Sequence, residues 1–311
     1  MKKNNPLVSV IIPNYCHAQY LDQRIQSVLN QTYQNFEVII LDDCSPDDGA
    51  SKAVIEKYRD NTHVSQIVYN EVNSGSTFKQ WEKGFLIAKG ELIWIAESDD
   101  YCELNLLEEL VALYAKYPNC SFVLSGTCRV DSIGNKLSSD NEFDSKISYD
   151  NGIEFIKKGL ICSNFVVPNA SAVLFKRKEA LEIKKDYMNY KASGDRLFWI
   201  YLAEKGDVAK VNKSLNYFRQ HNNKVSPRKE IDGTQCRENW VINQYLHHQG
   251  YITRGYRALE FRYYWHYIDT FEFHTDKIRQ ELKRLWFPKW YQNILMYRLS
   301  VAYLELSSKL R

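Results

Sequence analysis

The chain has 311 residues, 44% hydrophobic and 25% charged, with a formal net charge of +3. This balance suits a soluble globular protein and argues against a disordered chain or a general polyanion binder, so no nucleic-acid partner is expected. No apolar run approaches the roughly 18 residues of a membrane span, and the N-terminus shows no signal-peptide core.

The first half alternates strands and helices. Residues 7–12 form a β-branched run closed by Pro13-Asn14-Tyr15, and residues 20–29 place Leu21, Ile25, Val28 and Leu29 on one helical face. A second buried strand, 36–41, ends in Asp42-Asp43 and a polar turn leading into a helix over 52–58. A strand near 66–69, the Asn73-Ser74-Gly75 turn and a helix over 78–88 follow. The run at 92–96 then stops abruptly in Glu97-Ser98-Asp99-Asp100 before a helix over 104–114. Such alternation predicts βαβ units and a mainly parallel, Rossmann-like α/β sheet.

Two acidic turns therefore fall at carboxyl ends of strands, where open α/β sheets bind ligands. Adjacent Asp residues there suit a hard divalent cation, and Asp99 or Asp100 equally suits the N-cap of the following helix. Neither a GxGxxG nor a GxxxxGK[ST] sequence is present, so if a nucleotide binds here, carboxylates and a metal must replace the glycine-rich phosphate cradle. The seven Cys, at 16, 44, 102, 120, 128, 162 and 236, form no CxxC pair or zinc-like cluster and fit a reducing cytoplasm.

The blocks VSVIIPNY (8–15), SVLNQTY (27–33), FEVIILDDCS (36–45) and residues 88–100, in this order, resemble family 2 of the inverting nucleotide-sugar glycosyltransferases, which have the GT-A fold. The similarity spans roughly residues 6–225, implying a catalytic domain over 1–225 and a helical, aromatic- and basic-rich extension over 226–311. The resemblance implies nucleotide contacts from Pro13, Tyr15, Asp43, Asn73, Gly75, Lys79 and Asp99. Tyr15 would lie against the base, and Asp43 would accept from uracil N3–H. A carboxylate only accepts, so a UDP- or dTDP-sugar is expected rather than a cytidine donor. The later acidic motif implies Mn2+ or Mg2+ held at Asp100. Two departures stand out: Cys16 occupies a usual Asn position, and Glu97-Ser98-Asp99-Asp100 replaces the commoner acidic form. For Lys79 a solvated helix face competes with phosphate binding, and residue statistics favour the solvated face.

Downstream, a strand is expected at 121–125, a hairpin turn over 129–135, a polar loop over 138–149, a strand at 169–175 and a helix over 176–185. Ser193-Gly194-Asp195 resembles the family's catalytic-base motif. Asp195 also suits a helix cap, and the motif order favours the base. The strand ending in Arg219-Gln220-His221 resembles a segment that closes over the diphosphate, which makes His221 a second metal-ligand candidate beside a purely structural histidine. The implied reaction is a single displacement passing the sugar to a saccharide or lipid-linked saccharide hydroxyl. A carboxylate-pair glycoside hydrolase and a non-catalytic nucleotide-sugar-binding protein are the alternatives.

Residues 226–311 carry 14 Lys and Arg against 9 Asp and Glu, with dense aromatics. Basic and aromatic residues at helical spacing over 284–311 suit an anionic membrane surface. Peripheral attachment at the inner face of the cell membrane is therefore expected, against packing on the domain or a homodimer.

Overall fold

The computed structural model describes residues 5–139, 147–161, 167–221, 229–252 and 254–287. The chain divides into two compact units. One comprises Met1–Gly152, Val167–Met188 and Phe198–Asn222, the other Ile153–Val166, Asn189–Leu197 and Asn223–Arg311.

The first unit opens with β1 (Val8–Asn14), α1 (Ala18–Leu29), β2 (Phe36–Asp42), α2 (Ala50–Glu56), β3 (Val64–Tyr69), α3 (Thr77–Ile87) and β4 (Leu92–Ile95). β1 pairs in parallel with β2 on one side and β4 on the other, and β2 pairs in parallel with β3. β1, β2 and β4 are buried at every position. Burial on both faces is why they read as unbroken β-branched runs and not as alternating patterns. Each fully buried Ile, Leu or Val among them contributes about 1.5–3 kcal/mol. Gly90 lets the chain enter β4 beside β1, because a Cβ there would lie 2.6 Å from both Leu7 O and Ser9 N. The order β3-β2-β1-β4 reverses direction at β1. The region beyond the ends of β1 and β4 is therefore the switch point, the usual ligand position in such sheets.

Past β4 the sheet becomes mixed. β5 (Tyr101–Cys102), α4 (Leu106–Lys116), β6 (Cys120–Val130), β7 (Lys136–Ser139) and β8 (Ser148–Asp150) come next in the chain. The later strands are β9 (Val173–Lys176), followed by α6 (Arg177–Glu182), and β10 (Asp207–Arg219). β9 runs antiparallel between β4 and β6, while β10 runs parallel to β6. The expected loop over 138–149 contributes residues to β7 and β8 at its two ends, where backbone pairing with β6 and β10 overrides a polar composition; its centre lies outside the described residues. The sheet is thus parallel through its first four strands, and antiparallel insertions follow.

The second unit includes α5 (Gly152–Ile161, from Ile153 on), the start of α7 (Gly194–Ala203, to Leu197), α8 (Thr234–His248), α9 (Arg254–Thr270) and α10 (Asp276–Trp286). Its core joins Cys236, Tyr264, Ile268, Leu282 and Phe287. Trp286 stacks on Tyr264 with centroids 3.7 Å apart. The described aromatic residues at the start of the 284–311 stretch therefore pack into protein; residues 288–311, where most of the membrane expectation falls, lie outside the described residues. No helix among the described residues is long and apolar enough to cross a membrane.

Candidate active site

At the end of β2, Asp43 is 5% exposed and heavily hydrogen-bonded. Its Oδ1 accepts from Asn70 Nδ2 at 2.6 Å, Gln80 Nε2 at 2.8 Å and Ser74 N at 2.9 Å, while Oδ2 accepts from Ser74 Oγ at 2.7 Å. Asn73 donates to the Asp43 carbonyl at 2.9 Å and accepts from Gly75 N at 2.7 Å. Gly75 sits at φ +69°, which favours glycine. Asn73 and Gly75 thus shape the turn that holds Asp43. Lys79 is exposed, and its Nζ donates to Ser74 O at 3.1 Å. Pro13 pairs with Leu41 near the end of β1, and Tyr15 is 46% exposed just beyond it.

The acidic loop after β4 is braced from below by Arg24. This guanidinium is fully buried on the apolar stripe of α1. Its Nε donates to Glu97 O at 2.8 Å, and its terminal nitrogen lies 3.9 Å from Asp100 Oδ2. Asp100 is fully buried and accepts from Asn169 Nδ2 at 2.7 Å, Ser171 Oγ at 2.8 Å and Arg219 N at 3.0 Å. Both of its carboxylate oxygens are therefore engaged by protein donors, which sets Asp100 as the tie between the acidic loop, β10 and the 169–171 turn. Arg24→Ala would leave that carboxylate without its buried cation. A loss of about 3–5 kcal/mol is expected, read from urea unfolding, and a loss below about 1 kcal/mol would show that the neutral donors suffice.

Asp99 takes a different direction. Its Oδ2 meets His221 Nε2 at 2.9 Å, and His17 completes a group whose ligand atoms all lie within 4.8 Å of one another. His17 Nδ1 contacts Ser98 Oγ at 2.9 Å. The His17 and His221 rings meet edge to face at 5.4 Å, and Tyr20 packs on His221 at 5.2 Å. Arg219 is 2% exposed, so its side chain turns inward from the segment expected to close over the diphosphate. Its Nε donates to Asp99 O at 2.8 Å, and its guanidinium lies 4.6 Å over the Tyr20 ring. The adjacent Glu97 accepts from Trp81 Nε1 at 2.9 Å. Desolvation first, and then the charge of Asp99, push the Glu97 carboxyl up to about 8.

Two imidazoles and a carboxylate are a donor set suited to a divalent ion. Among the described residues, His221 Nδ1 is buried without a hydrogen-bond partner, while Nε2 meets Asp99. The residues present fit a divalent cation at His17, Asp99 and His221. The carboxylate suits a hard divalent ion, and the two imidazoles extend the donor set toward the transition metals.

In the second unit, Asp195 lies in the first turn of α7, where its Oδ1 accepts from Arg196 N at 2.8 Å. Desolvation pushes its carboxyl up to about 6, partly opposed by that backbone N–H.

The sequence signature of Glycosyl transferase family 2 matches residues 9–179, more than half of the chain. The chain belongs to this family. The match covers Asp43, Asp99 and Asp100, while Asp195 and His221 lie beyond it. The transferase is 27% identical over 225 residues to the putative teichuronic acid biosynthesis glycosyltransferase TuaG of Bacillus subtilis (strain 168), covering 72% of this chain and 83% of that protein. It is 34% identical over 119 residues to the poly(ribitol-phosphate) beta-N-acetylglucosaminyltransferase TarP of Staphylococcus aureus (strain N315), covering 38% of this chain and 35% of that one. The structure of S. aureus TarS 1–349 in complex with UDP-GlcNAc superposes with a TM-score of 0.60, covering 96% of this chain and 91% of that one. At 16% identity that likeness speaks for the GT-A fold.

Three residues of this glycosyltransferase escaped sequence reasoning. Arg24 had a readable signal, a charge set among Leu21, Ile25 and Val28 on an apolar stripe. His17 follows the end of β1 by three residues and could have been suspected from that position alone. Trp81 carried no signal beyond its helical periodicity.

Proposed function

We propose that this glycosyltransferase moves a sugar from a UDP-sugar to a hydroxyl of a bacterial surface polysaccharide, inverting the anomeric centre in one displacement. The observation that carries the reading is the Asp99, His17 and His221 cluster in the same unit as Asp43, at strand ends of one sheet. The relatives support the substrate class: TarP is named for β-N-acetylglucosamine transfer to poly(ribitol-phosphate), TuaG for teichuronic acid synthesis, and TarS was solved with UDP-GlcNAc and with UDP. UDP-GlcNAc is therefore the first donor to test.

Asp99, His17 and His221 would hold a divalent ion, Mn2+ or Mg2+ as the family resemblance implies, and the ion would supply positive charge to the diphosphate leaving group. This reading moves the metal from Asp100 to Asp99, because Asp100 already accepts three hydrogen bonds. Asp43 would read the base: Oδ2 accepts from Ser74 Oγ and retains lone pairs for uracil N3–H. The exposed Tyr15 ring would lie against the base, beside Pro13. Asn73 and Gly75 would act on the nucleotide through the turn that holds Asp43, and Lys79 stands as the solvated alternative to a phosphate contact. Asp195 would take the proton of the acceptor hydroxyl, a task suited to a carboxyl raised toward neutral pH.

Cytosine N3 carries no proton, so a buried carboxylate would face an acceptor. UDP should bind at least about tenfold more tightly than CDP, in keeping with about 1.5–3 kcal/mol for a hydrogen bond to a charged group. Calorimetry with both nucleotides in Mn2+ measures this, and equal affinities would remove Asp43 from base recognition. Release of UDP from UDP-GlcNAc and other UDP-sugars with Mn2+ and teichoic-acid-type acceptors tests the activity itself. No release with any pairing would overturn the donor assignment.

A further inference from the structure

The loop that delivers Asp195 is held by a side chain of α8. Glu238 Oε1 accepts from Lys191 N at 2.6 Å, and Oε2 accepts from Ser193 N at 2.7 Å and Ala192 N at 2.9 Å. Three successive backbone N–H groups thus converge on one carboxylate, a concave arrangement that demands an anion. The same helix grips the residue after Asp195. Arg196 donates to Asn239 Oδ1 at 2.8 Å and to Asn243 Oδ1 at 2.9 Å. Asn243 is 2% exposed, so the guanidinium reaches into the body of the unit. Asp195 is therefore anchored on both sides, at 191–193 and at 196, by one face of α8. That face lies more than 50 residues beyond the matched family region, which ends at residue 179.

We propose that Glu238 is a positioning residue for Asp195, fixing the loop ahead of α7 so that the carboxylate meets the acceptor hydroxyl. The proposal rests on the reading of Asp195 as the base. Chemistry selects a carboxylate here: it is acceptor-only, with two oxygens for three donors. A glutamine would offer one acceptor oxygen and turn its NH2 toward at least one backbone N–H. The loop would then give up one of its three hydrogen bonds to this side chain, and a displacement of about 1 Å is enough to cost on the order of 100-fold in rate.

The test compares wild type, Glu238→Gln, Asp195→Asn and the double variant as full-length protein. UDP release from the active UDP-sugar, UDP affinity by calorimetry and amide exchange over 189–197 are measured. Glu238→Gln is expected to lower kcat about 10- to 100-fold with KM for the donor and UDP affinity within about twofold. Exchange at 191–193 should accelerate, and the double variant should be no slower than Asp195→Asn alone, as expected for residues acting through one group. If Asp195→Asn is inactive while Glu238→Gln turns over like wild type, the positioning role is wrong and the base reading stands. Additive losses in the double variant, or a matching loss of UDP affinity, would also overturn it. Full activity in Asp195→Asn would overturn the base reading and this proposal together.

Discussion

Asp195→Asn is expected to reduce sugar transfer about 100-fold or more, the usual range for loss of a general base, while UDP affinity stays at the wild-type level. The wild-type rate should rise with pH through about 6, where this carboxyl ionises, and level off above it. Asparagine removes that limb. Stability should move the other way. Burial raises the folded-state pKa above the ordinary carboxylate value, so folding is favoured by the neutral form. That favourable contribution is complete at low pH, below the unfolded-state value, and is lost as pH rises through about 6. Asparagine stays neutral throughout, so the variant should melt at a higher temperature than wild type at pH 7.5 and show no such advantage near pH 3. Melting curves at the two pH values, with UDP release across pH 5–9, check both halves. A variant with full activity would return Asp195 to a helix-capping role.

Asp99→Ala should abolish the Mn2+-dependent part of UDP binding, by at least about 100-fold, since loss of an outer partner of a metal ligand alone costs about 10- to 100-fold. His17→Ala and His221→Ala should each weaken the Mn2+ response in the same assay. Asp100→Asn should behave differently. Its carboxylate accepts from Asn169, Ser171 and the Arg219 backbone and lies beside the buried Arg24, so the change should lower the urea midpoint and leave a Mn2+ response in the folded protein. Calorimetry of UDP with and without Mn2+ separates the two aspartates. Full metal dependence in Asp99→Ala, or its loss in folded Asp100→Asn, would restore the metal to Asp100.

Much of the fold is legible in the residue pattern alone. Unbroken β-branched runs at β1, β2 and β4, separated by helical spacing, announce a parallel sheet because strands covered on both faces have no polar side to show. The acidic ends of β2 and β4 mark the crevice for a related reason: a carboxylate beside a buried strand requires partners. The antiparallel insertion of β9 between β4 and β6 is not legible in that way, since strand direction depends on how the chain returns and not on side-chain pattern.

Within the site, residue types were legible and their division of labour was not. Asp99 and Asp100 are neighbours in the chain, yet one faces His221 and the other is buried against Asn169, Ser171 and Arg24. Successive residues in a turn point in different directions, and periodicity says nothing about which direction meets which partner. Those partners arrive from far along the chain: His221 from the end of β10, Arg24 from α1, and Glu238 from a helix beyond the matched family region. By itself the sequence determined the parallel half of the sheet and the acidic strand ends, set by local pattern, while the class of chemistry came from the resemblance of the ordered blocks to a family. Which carboxylate faces the histidines, which is sealed into the scaffold, and which side chain steadies the Asp195 loop were decided only by tertiary structure, because hydrogen bonds between distant segments form only once the sheet and helices have brought their donors together.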